Sequence, residues 1–220
     1  MNKAAPYDSF YSKLMDMSVW IYTNILRFGK YETESIIKYA AGVENSNVLD
    51  YGCNTGRHAS NVKQAYGYNV MGADINPAAI SVAQRKGIPA ELITPNFFEK
   101  YKFSFDVIIN SHVLEHVDDP KDFLVNIRGL LKEEGTFVIA IPQERIRGDI
   151  SPLQILYFLS RLKFENPHKH NFSKDQLFTL LIEAGFTPKE HIFCNFIPPF
   201  LTKDRIFITS RSLVVKCTKN

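Results

Sequence analysis

Residues 48–57 read VLDYGCNTGR, a short apolar strand pattern that ends in an acid and continues into a turn with two glycines. Asp50 closes the strand, Gly52 follows two positions later, and Gly56 stands where the next helix would begin. Glycines at these places let the backbone turn sharply and come close to a ligand. The stretch predicts a strand, a turn and a helix in an α/β sheet that binds a ligand at its edge.

A second strand pattern, VMGAD at residues 70–74, ends in an acid 24 positions after Asp50. An acid at the end of a second strand is placed to bind the two hydroxyls of a ribose. Dinucleotide-binding folds share this acid, but their GxGxxG pattern is interrupted here by Asn54. The carboxylate of Asp50 would also repel a pyrophosphate and would attract a cation. The sequence therefore favours a nucleoside that carries a sulfonium over a dinucleotide.

Short aliphatic or β-branched runs alternate with amphipathic stretches around this unit. The predicted strands are 47–51, 69–73, 90–94, 105–110, 135–141, 187–195 and 212–218. The predicted helices are 56–66, 77–86 and 120–132, followed by a last helix that Ser173 caps and Gly185 ends. This alternation predicts a Rossmann-like α/β fold, with a seven-stranded, mostly parallel sheet, an antiparallel last strand, helices on both faces and an N-terminal helical cap.

The length of 220 residues suits one domain with a cap. We expect a cap at 1–42, a cofactor-binding core at 45–142, a substrate-side insertion at 143–172, and the last helix with edge strands at 173–220. A net charge of +3 argues against general binding of nucleic acid. Three scattered cysteines argue against a disulfide framework, and no apolar run has the length of a bilayer span. We expect a cytoplasmic protein with no membrane partner.

The sequence resembles the class I S-adenosylmethionine-dependent methyltransferases, particularly the branch with the ubiquinone-biosynthesis O-methyltransferases and many small-molecule and sugar methyltransferases. The resemblance runs from about residue 45 to residue 185. It depends on VLDYGCNTG, VMGADIN, FDVIINSHVLEHVDDP, LLKEEGTFVIAIP and HKHNFSKDQLFTLLIEAGF, in that order. It implies S-adenosyl-L-methionine as the cofactor and S-adenosyl-L-homocysteine as the product.

The same resemblance implies a set of cofactor-binding residues. They are Asp50, Gly52, Cys53, Asn54, Gly56, Asp74, Ile75, Asn96, Asn110, Ser111 and His112. Asp74 would bind the ribose and Ile75 would pack on the adenine. Asn96 is the nearest polar residue where related enzymes often have an acid after the third strand. Cys53 is expected to pack beneath the loop, since a small buried thiol is more common than a reactive one.

Three histidines are candidates for taking a proton from the acceptor: His116, His168 and His170. His116 follows the fourth strand, at the edge where open α/β sheets bind ligands, and histidine is the usual base at neutral pH. Each has a structural alternative, in which His116 packs or caps its turn and the other two brace a loop. A metal site formed by His168, His170 and His191 is a weaker interpretation, because no carboxylate or cysteine is spaced to complete it. We expect no metal.

The substrate side is expected to include Tyr7, Tyr11 and Tyr157. Residues 1–40 would form a lid whose deletion abolishes turnover and leaves the sheet folded. The apolar residues around Tyr157 would line the acceptor site, or would equally form the interface of a homodimer.

The predicted activity is methyl transfer to an oxygen, less favourably a nitrogen, of a small metabolite or sugar-like acceptor. One alternative is an RNA or protein methyltransferase. Against it stand the low net charge and the sequence Asn110-Ser111-His112-Val113, which lacks the asparagine-proline-proline-aromatic signature of many enzymes that methylate amino groups. A second alternative is an inactive cofactor-binding partner subunit.

Overall fold

The computed structural model of the protein describes residues 17, 20, 30–143, 168–195, 201–203 and 210–219. Its helices are α1 (Lys30–Tyr39), α2 (Arg57–Tyr66), α3 (Pro77–Arg85), α4 (Phe97–Lys100), α5 (Pro120–Leu130) and α6 (Lys174–Glu183), with a 3-10 turn at Leu114–His116. Its strands are β1 (Asn47–Tyr51), β2 (Asn69–Asp74), β3 (Ala90–Leu92), β4 (Phe105–Ser111), β5 (Leu131–Pro142), β6 (Phe186–Asn195), β7 (Leu201–Thr202) and β8 (Ser210–Lys219). Within these ranges, no helix has the length and apolar content that crossing a bilayer requires.

These strands form one sheet in the order β3-β2-β1-β4-β5-β8-β6-β7. The first five strands of that order pair in parallel. Strand β8 runs antiparallel to both of its neighbours, β5 and β6. The chain order reverses between β1 and β4, which is the switch point where open α/β sheets bind their ligands. The predicted Rossmann-like, mostly parallel sheet with an antiparallel last strand is confirmed.

Several elements differ from the predicted ones, and strand β5 begins at Leu131 instead of residue 135. The described residues contain an eighth strand, the two-residue β7, which pairs with the end of β6. The helix predicted to reach Lys132 ends at Leu130, since Leu131 already pairs with Phe105 in the sheet. The strand predicted to reach Thr94 ends at Leu92, because the carbonyl of Thr94 accepts a hydrogen bond from the amide of Phe97 and turns the chain into α4.

Alternate residues of the central strands enter two separate cores, one on each face of the sheet. On β5, Phe137 and Ile139 face the core that α5 and α6 cover, whereas Val138 and Ala140 face the core that α1, α2 and α3 cover. Side chains of a strand alternate between faces, so a strand buried on both sides must be apolar throughout. This burial fixes the strand register and thereby the positions of the loops that follow the strands.

Helix α1 packs into the core that α2 and α3 also cover. Ile36 is fully buried, and Tyr39 and Ala40 are buried with it against the sheet. Residues 1–40 supply part of this apolar core, so we expect their deletion to destabilise the sheet as well as to abolish turnover. The rest of the predicted lid, most of the insertion at 143–172, and Tyr7, Tyr11 and Tyr157 lie outside the described residues.

Candidate functional site

The loops that carry the predicted cofactor residues meet at the carboxyl ends of three central strands. In the sheet register, Tyr51 of β1 lies opposite Ala73 of β2 and Asn110 of β4. The loops that leave these strands are 52–56, 75–76 and 112–116. The fold therefore brings together segments that are up to 60 positions apart in sequence.

The loop after β1 uses left-handed backbone conformations and is tied to the end of β2. Gly52 has φ +78° and Gly56 has φ +80°, and between them Asn54 has φ +47°. The amides of Gly52 and Cys53 both donate to the carbonyl of Ala73, at 2.7 and 3.0 Å. A Cβ atom on Gly52 would lie 2.3 Å from a methyl carbon of Val113. Glycine at position 52 therefore allows the loop to lie against the segment that follows β4.

Asp74 connects the first two loops through its carboxylate. Its Oδ2 accepts a hydrogen bond from the amide of Asn54 at 2.8 Å, and its Oδ1 accepts one from the amide of Asn76 at 2.9 Å. Burial raises the pKa of Asp74, although these two amides act in the opposite direction. The carboxylate is only half-buried, so it retains acceptor capacity toward the site. The next side chain, Ile75, is 63% exposed and offers an apolar surface beside it.

Asp50 lies beneath the first loop instead of lining it. Its side chain is 1% exposed, and its Oδ2 accepts a hydrogen bond from the amide of Ala59 in the first turn of α2, at 3.0 Å. Burial raises the pKa of Asp50 to about 7. The structure thus assigns Asp50 a contact that fixes the start of α2 under the glycine-containing loop.

This pKa gives Asp50 a pH-dependent effect on stability. A carboxyl that titrates near 7 in the fold and near 3.9 in the unfolded chain costs stability progressively as the pH rises from about 4 to 7. We expect Asp50→Asn to gain stability relative to the parent by about 2–3 kcal/mol between pH 5 and pH 8. Urea unfolding of both proteins at the two pH values measures this gain. A difference between the two proteins that is the same at both pH values would contradict it.

Other predicted cofactor residues differ in their access to the site. Asn110 is fully buried, and its Nδ2 donates to the carbonyl of Tyr51 at 3.1 Å, while its Oδ1 meets no donor among the described residues. Ser111 and His112 are partly exposed, and Asn96 is exposed at the start of α4. Cys53 is buried, and burial together with nearby carboxylates raises the pKa of its thiol. Cys53 therefore packs beneath the loop, in an environment that disfavours the thiolate.

His112 lies between two carboxylates. Its Nε2 is 3.1 Å from Oε2 of Glu32, which comes from α1, and its Nδ1 is 3.5 Å from Oε1 of Glu115. Burial alone would lower the pKa of His112, but the two carboxylates raise it to about 10. His112 also has φ +55°, and its amide donates to the carbonyl of Ala140 at 2.9 Å. The two carboxylates therefore favour the protonated imidazole at the point where the chain leaves β4.

Glu115 is the buried centre of a cluster with His116 and His168. Its side chain is 1% exposed, and its oxygens accept no hydrogen bond from the described residues. A carboxylate oxygen of Glu115 and one ring nitrogen each of His116 and His168 lie within 4.8 Å of one another. The two imidazole rings meet edge to face, with their centroids 4.8 Å apart. The amides of Lys169 and His170 both donate to the carbonyl of Glu115. These bonds tie the loop before α6 to the end of β4.

The remaining predicted catalytic histidine has a structural contact. Nε2 of His170 donates to the carbonyl of Val117 at 3.0 Å, and its ring stacks on Phe172. His191 lies elsewhere, with its Nε2 donating to the carbonyl of Lys203. The structure therefore brings His116 and His168 together with Glu115, in a group of described residues that could hold a metal ion, whereas His170 and His191 lie outside that group.

The arrangement suits a nucleoside. Asp74 with Ile75 offers a ribose acceptor beside an apolar surface, next to the left-handed loop at Gly52. Two acidic side chains of this site, Glu32 and Glu115, are absent from the sequence prediction. The adjacency of Glu115 to His116 was a usable signal, whereas nothing in the sequence links Glu32 to a residue 80 positions away.

Comparisons with known proteins agree with this geometry. Residues 25–191 match a family model described as a methyltransferase domain. The ubiquinone biosynthesis O-methyltransferase of Rickettsia canadensis is 24% identical over 170 residues, which are 73% of this chain and 71% of that protein. The protein of the same name from Roseobacter denitrificans is 29% identical over 155 residues, which are 64% of this chain and 60% of that protein, less than two thirds of its length.

A solved structure shows the same fold. A SAM-dependent methyltransferase from Aquifex aeolicus superposes with a TM-score of 0.66 at 15% sequence identity, covering 97% of this chain and all of that one.

Proposed function

The chain belongs to the methyltransferase domain family, as a class I S-adenosylmethionine-dependent methyltransferase, and from this premise we propose that it methylates an oxygen of a small metabolite or sugar-like acceptor. The observation that carries the proposal is the pair His116 and His168 beside buried Glu115, directly after β4 and next to the cofactor loops. A cluster that can take a proton at this place suits a hydroxyl acceptor.

In this proposal the chain positions the cofactor with three features. The left-handed loop at Gly52 receives its amino-acid portion, Asp74 accepts hydrogen bonds from the ribose hydroxyls, and Ile75 packs on the adenine. When bound, S-adenosylmethionine supplies an electrophilic methyl group whose sulfur leaves as a neutral thioether. Much of the acceleration then comes from holding the acceptor oxygen in line with that methyl group.

His116 acts as the base. As the new carbon–oxygen bond forms and the carbon–sulfur bond breaks, the acceptor hydroxyl loses its proton to His116, whose side chain is one-third exposed toward the site. Glu115, 3.9 Å from Nε2 of His116, stabilises the imidazolium that results. His168 packs edge to face on the His116 ring and holds its orientation. A neutral amine acceptor needs no such base for the transfer, so the cluster favours oxygen.

The acceptor class is supported by two further observations. The named relatives are O-methyltransferases of ubiquinone biosynthesis, which supports a small hydroxyl-bearing acceptor. The net charge of +3 supports a small acceptor over RNA. We expect no metal to take part.

An acceptor panel tests the proposed function. The full chain is incubated with S-adenosylmethionine and, separately, with catechols, simple phenols, hexoses, primary amines, bulk RNA and a basic protein, and the release of S-adenosylhomocysteine is measured with and without EDTA. We expect release with at least one hydroxyl acceptor, unaffected by EDTA. Release with amines, RNA or protein alone would contradict the proposal. Release with none of them, despite tight cofactor binding, would favour a cofactor-binding partner subunit.

A further inference from the structure

A carboxylate and two imidazoles meet where the loop before α6 joins the turn after β4. Glu115 contributes a carboxylate oxygen and His116 and His168 contribute one ring nitrogen each, all within 4.8 Å of one another. The side chain of Glu115 is 1% exposed, and its oxygens accept no hydrogen bond from the described residues. Burial of a carboxylate without hydrogen bonds is costly. A cation that binds Glu115 would offset this cost.

Backbone contacts hold the three side chains near one another. The amides of Lys169 and His170 donate to the carbonyl of Glu115 at 2.8 and 3.1 Å, so the loop that carries His168 is fixed to the turn that carries the other two. The rings of His116 and His168 are both partly exposed. Ligand atoms of a tetrahedral Zn²⁺ lie about 3.3–3.6 Å apart, given metal–ligand distances of about 2.0–2.2 Å. Small rotations of the two rings would bring the three atoms to that spacing.

Two neighbouring cations are each paired with an acid. Nδ1 of His112 lies 3.5 Å from Oε1 of Glu115, but its Nε2 lies 3.1 Å from Oε2 of Glu32. The ammonium of Lys169 lies 2.6 Å from Oδ1 of Asp118. Unpaired charges of like sign would oppose the binding of a metal ion. A divalent ion bound to Glu115 meets paired cations instead.

The donor set selects the class of ion. Two imidazoles with one carboxylate suit Zn²⁺ and similar divalent transition ions, whereas Mg²⁺ prefers oxygen ligands in octahedral geometry. Three protein ligands leave the fourth position of a tetrahedral ion for water. We infer that Glu115, His116 and His168 form a binding site for a divalent transition-metal ion of the zinc class, and that the bound ion inhibits methyl transfer.

The inhibition rests on the proposed function, in which His116 takes the proton of the acceptor. An imidazole that binds a metal ion through one nitrogen carries its hydrogen on the other nitrogen, so it has no lone pair left for a proton. His116 therefore cannot act as a base while it holds the ion. The ion is an inhibitor in this account, and the transfer itself needs no metal.

Titration of the protein with metal alone tests the site without any acceptor. The metal-free full chain is studied by isothermal titration calorimetry with Zn²⁺ and, separately, with Mg²⁺. The variants are Glu115→Gln and His168→Gln, and the matched control is His191→Gln, which removes a histidine of β6 that bonds to the carbonyl of Lys203. We expect the parent to bind one Zn²⁺ tightly and to bind Mg²⁺ far more weakly.

The Zn²⁺ affinity should fall at least about tenfold in Glu115→Gln and His168→Gln, because loss of a group that merely orients a metal ligand already costs about 10–100-fold. The control His191→Gln should bind Zn²⁺ as the parent does. Circular dichroism verifies the fold first. If Glu115→Gln does not fold, His168→Gln maintains the test, since its side chain is partly exposed. In histidine NMR spectra, added Zn²⁺ should shift the ring signals of His116 and His168 and leave those of His191 in place.

Transfer in the presence of Zn²⁺ tests the consequence. With a hydroxyl acceptor from the panel, the rate should fall as Zn²⁺ occupies the site, Mg²⁺ should have no effect, and EDTA should restore the rate. The variant His168→Gln retains His116. Relative to its own rate without metal, it should need at least about tenfold more Zn²⁺ for half inhibition.

Zn²⁺ affinity that is equal in the parent and in the folded ligand variants would overturn the site. Binding of Mg²⁺ as tight as that of Zn²⁺ would overturn the class of ion, and a transfer rate that full Zn²⁺ occupancy leaves unchanged or increases would overturn the inhibition. The two proposals also fail separately. Zn²⁺ binding without transfer to any hydroxyl would overturn the proposed function alone, whereas transfer without Zn²⁺ binding would overturn the metal site alone.

Discussion

Replacement of Asp74 by alanine should weaken the binding of S-adenosylhomocysteine at least about hundredfold. The carboxylate accepts hydrogen bonds from the amides of Asn54 and Asn76, so it fixes both loops that border the cofactor, and we expect it to accept the ribose hydroxyls as well. Hydrogen bonds to a charged acceptor contribute about 1.5–3 kcal/mol each, and losing two of them corresponds to that factor. Isothermal titration calorimetry with S-adenosylhomocysteine measures the change.

Two further variants make the Asp74 result interpretable. Asp74→Asn keeps an acceptor for one loop amide, so it should fold as the parent does and lose less affinity than Asp74→Ala. Asp122→Ala removes an exposed carboxylate of α5 and should bind as the parent does. Unchanged affinity in a folded Asp74→Ala would show that the ribose does not bind at the end of β2.

Replacement of His116 by glutamine should lower kcat about hundredfold or more with the best hydroxyl acceptor of the panel. General-base catalysis contributes about 10²- to 10⁴-fold, and glutamine retains much of the size of histidine without a titratable nitrogen. The affinity for S-adenosylhomocysteine should change less than about twofold, because His116 contacts the acceptor side of the site in this account. Steady-state kinetics, together with calorimetry, separates the two quantities.

The matched control for His116 is His191→Gln. His191 lies in β6 with its Nε2 bonded to the carbonyl of Lys203, away from the cofactor loops, and its replacement should leave kcat unchanged. Equal kcat in the parent and His116→Gln would remove His116 as the base. A loss of cofactor affinity equal to the loss of kcat would indicate that His116 supports cofactor binding instead.

The sequence predicted the sheet and the cofactor loops because both depend on local patterns. Two apolar strand patterns end in Asp50 and Asp74, and Gly52 and Gly56 lie between these two acids. The glycines indicate where the backbone turns, and the acids indicate where each strand ends. Pairing of β1 with β2 and β4 then brings those ends together without further information. Local chemistry and sheet topology thus determine most of the cofactor side.

The contacts that the sequence missed join distant segments. Glu32 contacts His112, 80 positions away in the sequence, because α1 packs on the sheet. The spacing of apolar residues in α1 predicts a helix but does not indicate where that helix packs. Such pairings depend on tertiary packing, which no local pattern contains.

A crystal structure of the full chain with S-adenosylhomocysteine would show where the cofactor binds. We predict the ribose hydroxyls within hydrogen-bond distance of the Asp74 carboxylate, the adenine against Ile75, and the sulfur between the loop at Gly52 and the side of the site that His116 faces. S-adenosylhomocysteine bound elsewhere, for example in the shallow groove that Lys169, Phe172 and Gln176 line along α6, would contradict it.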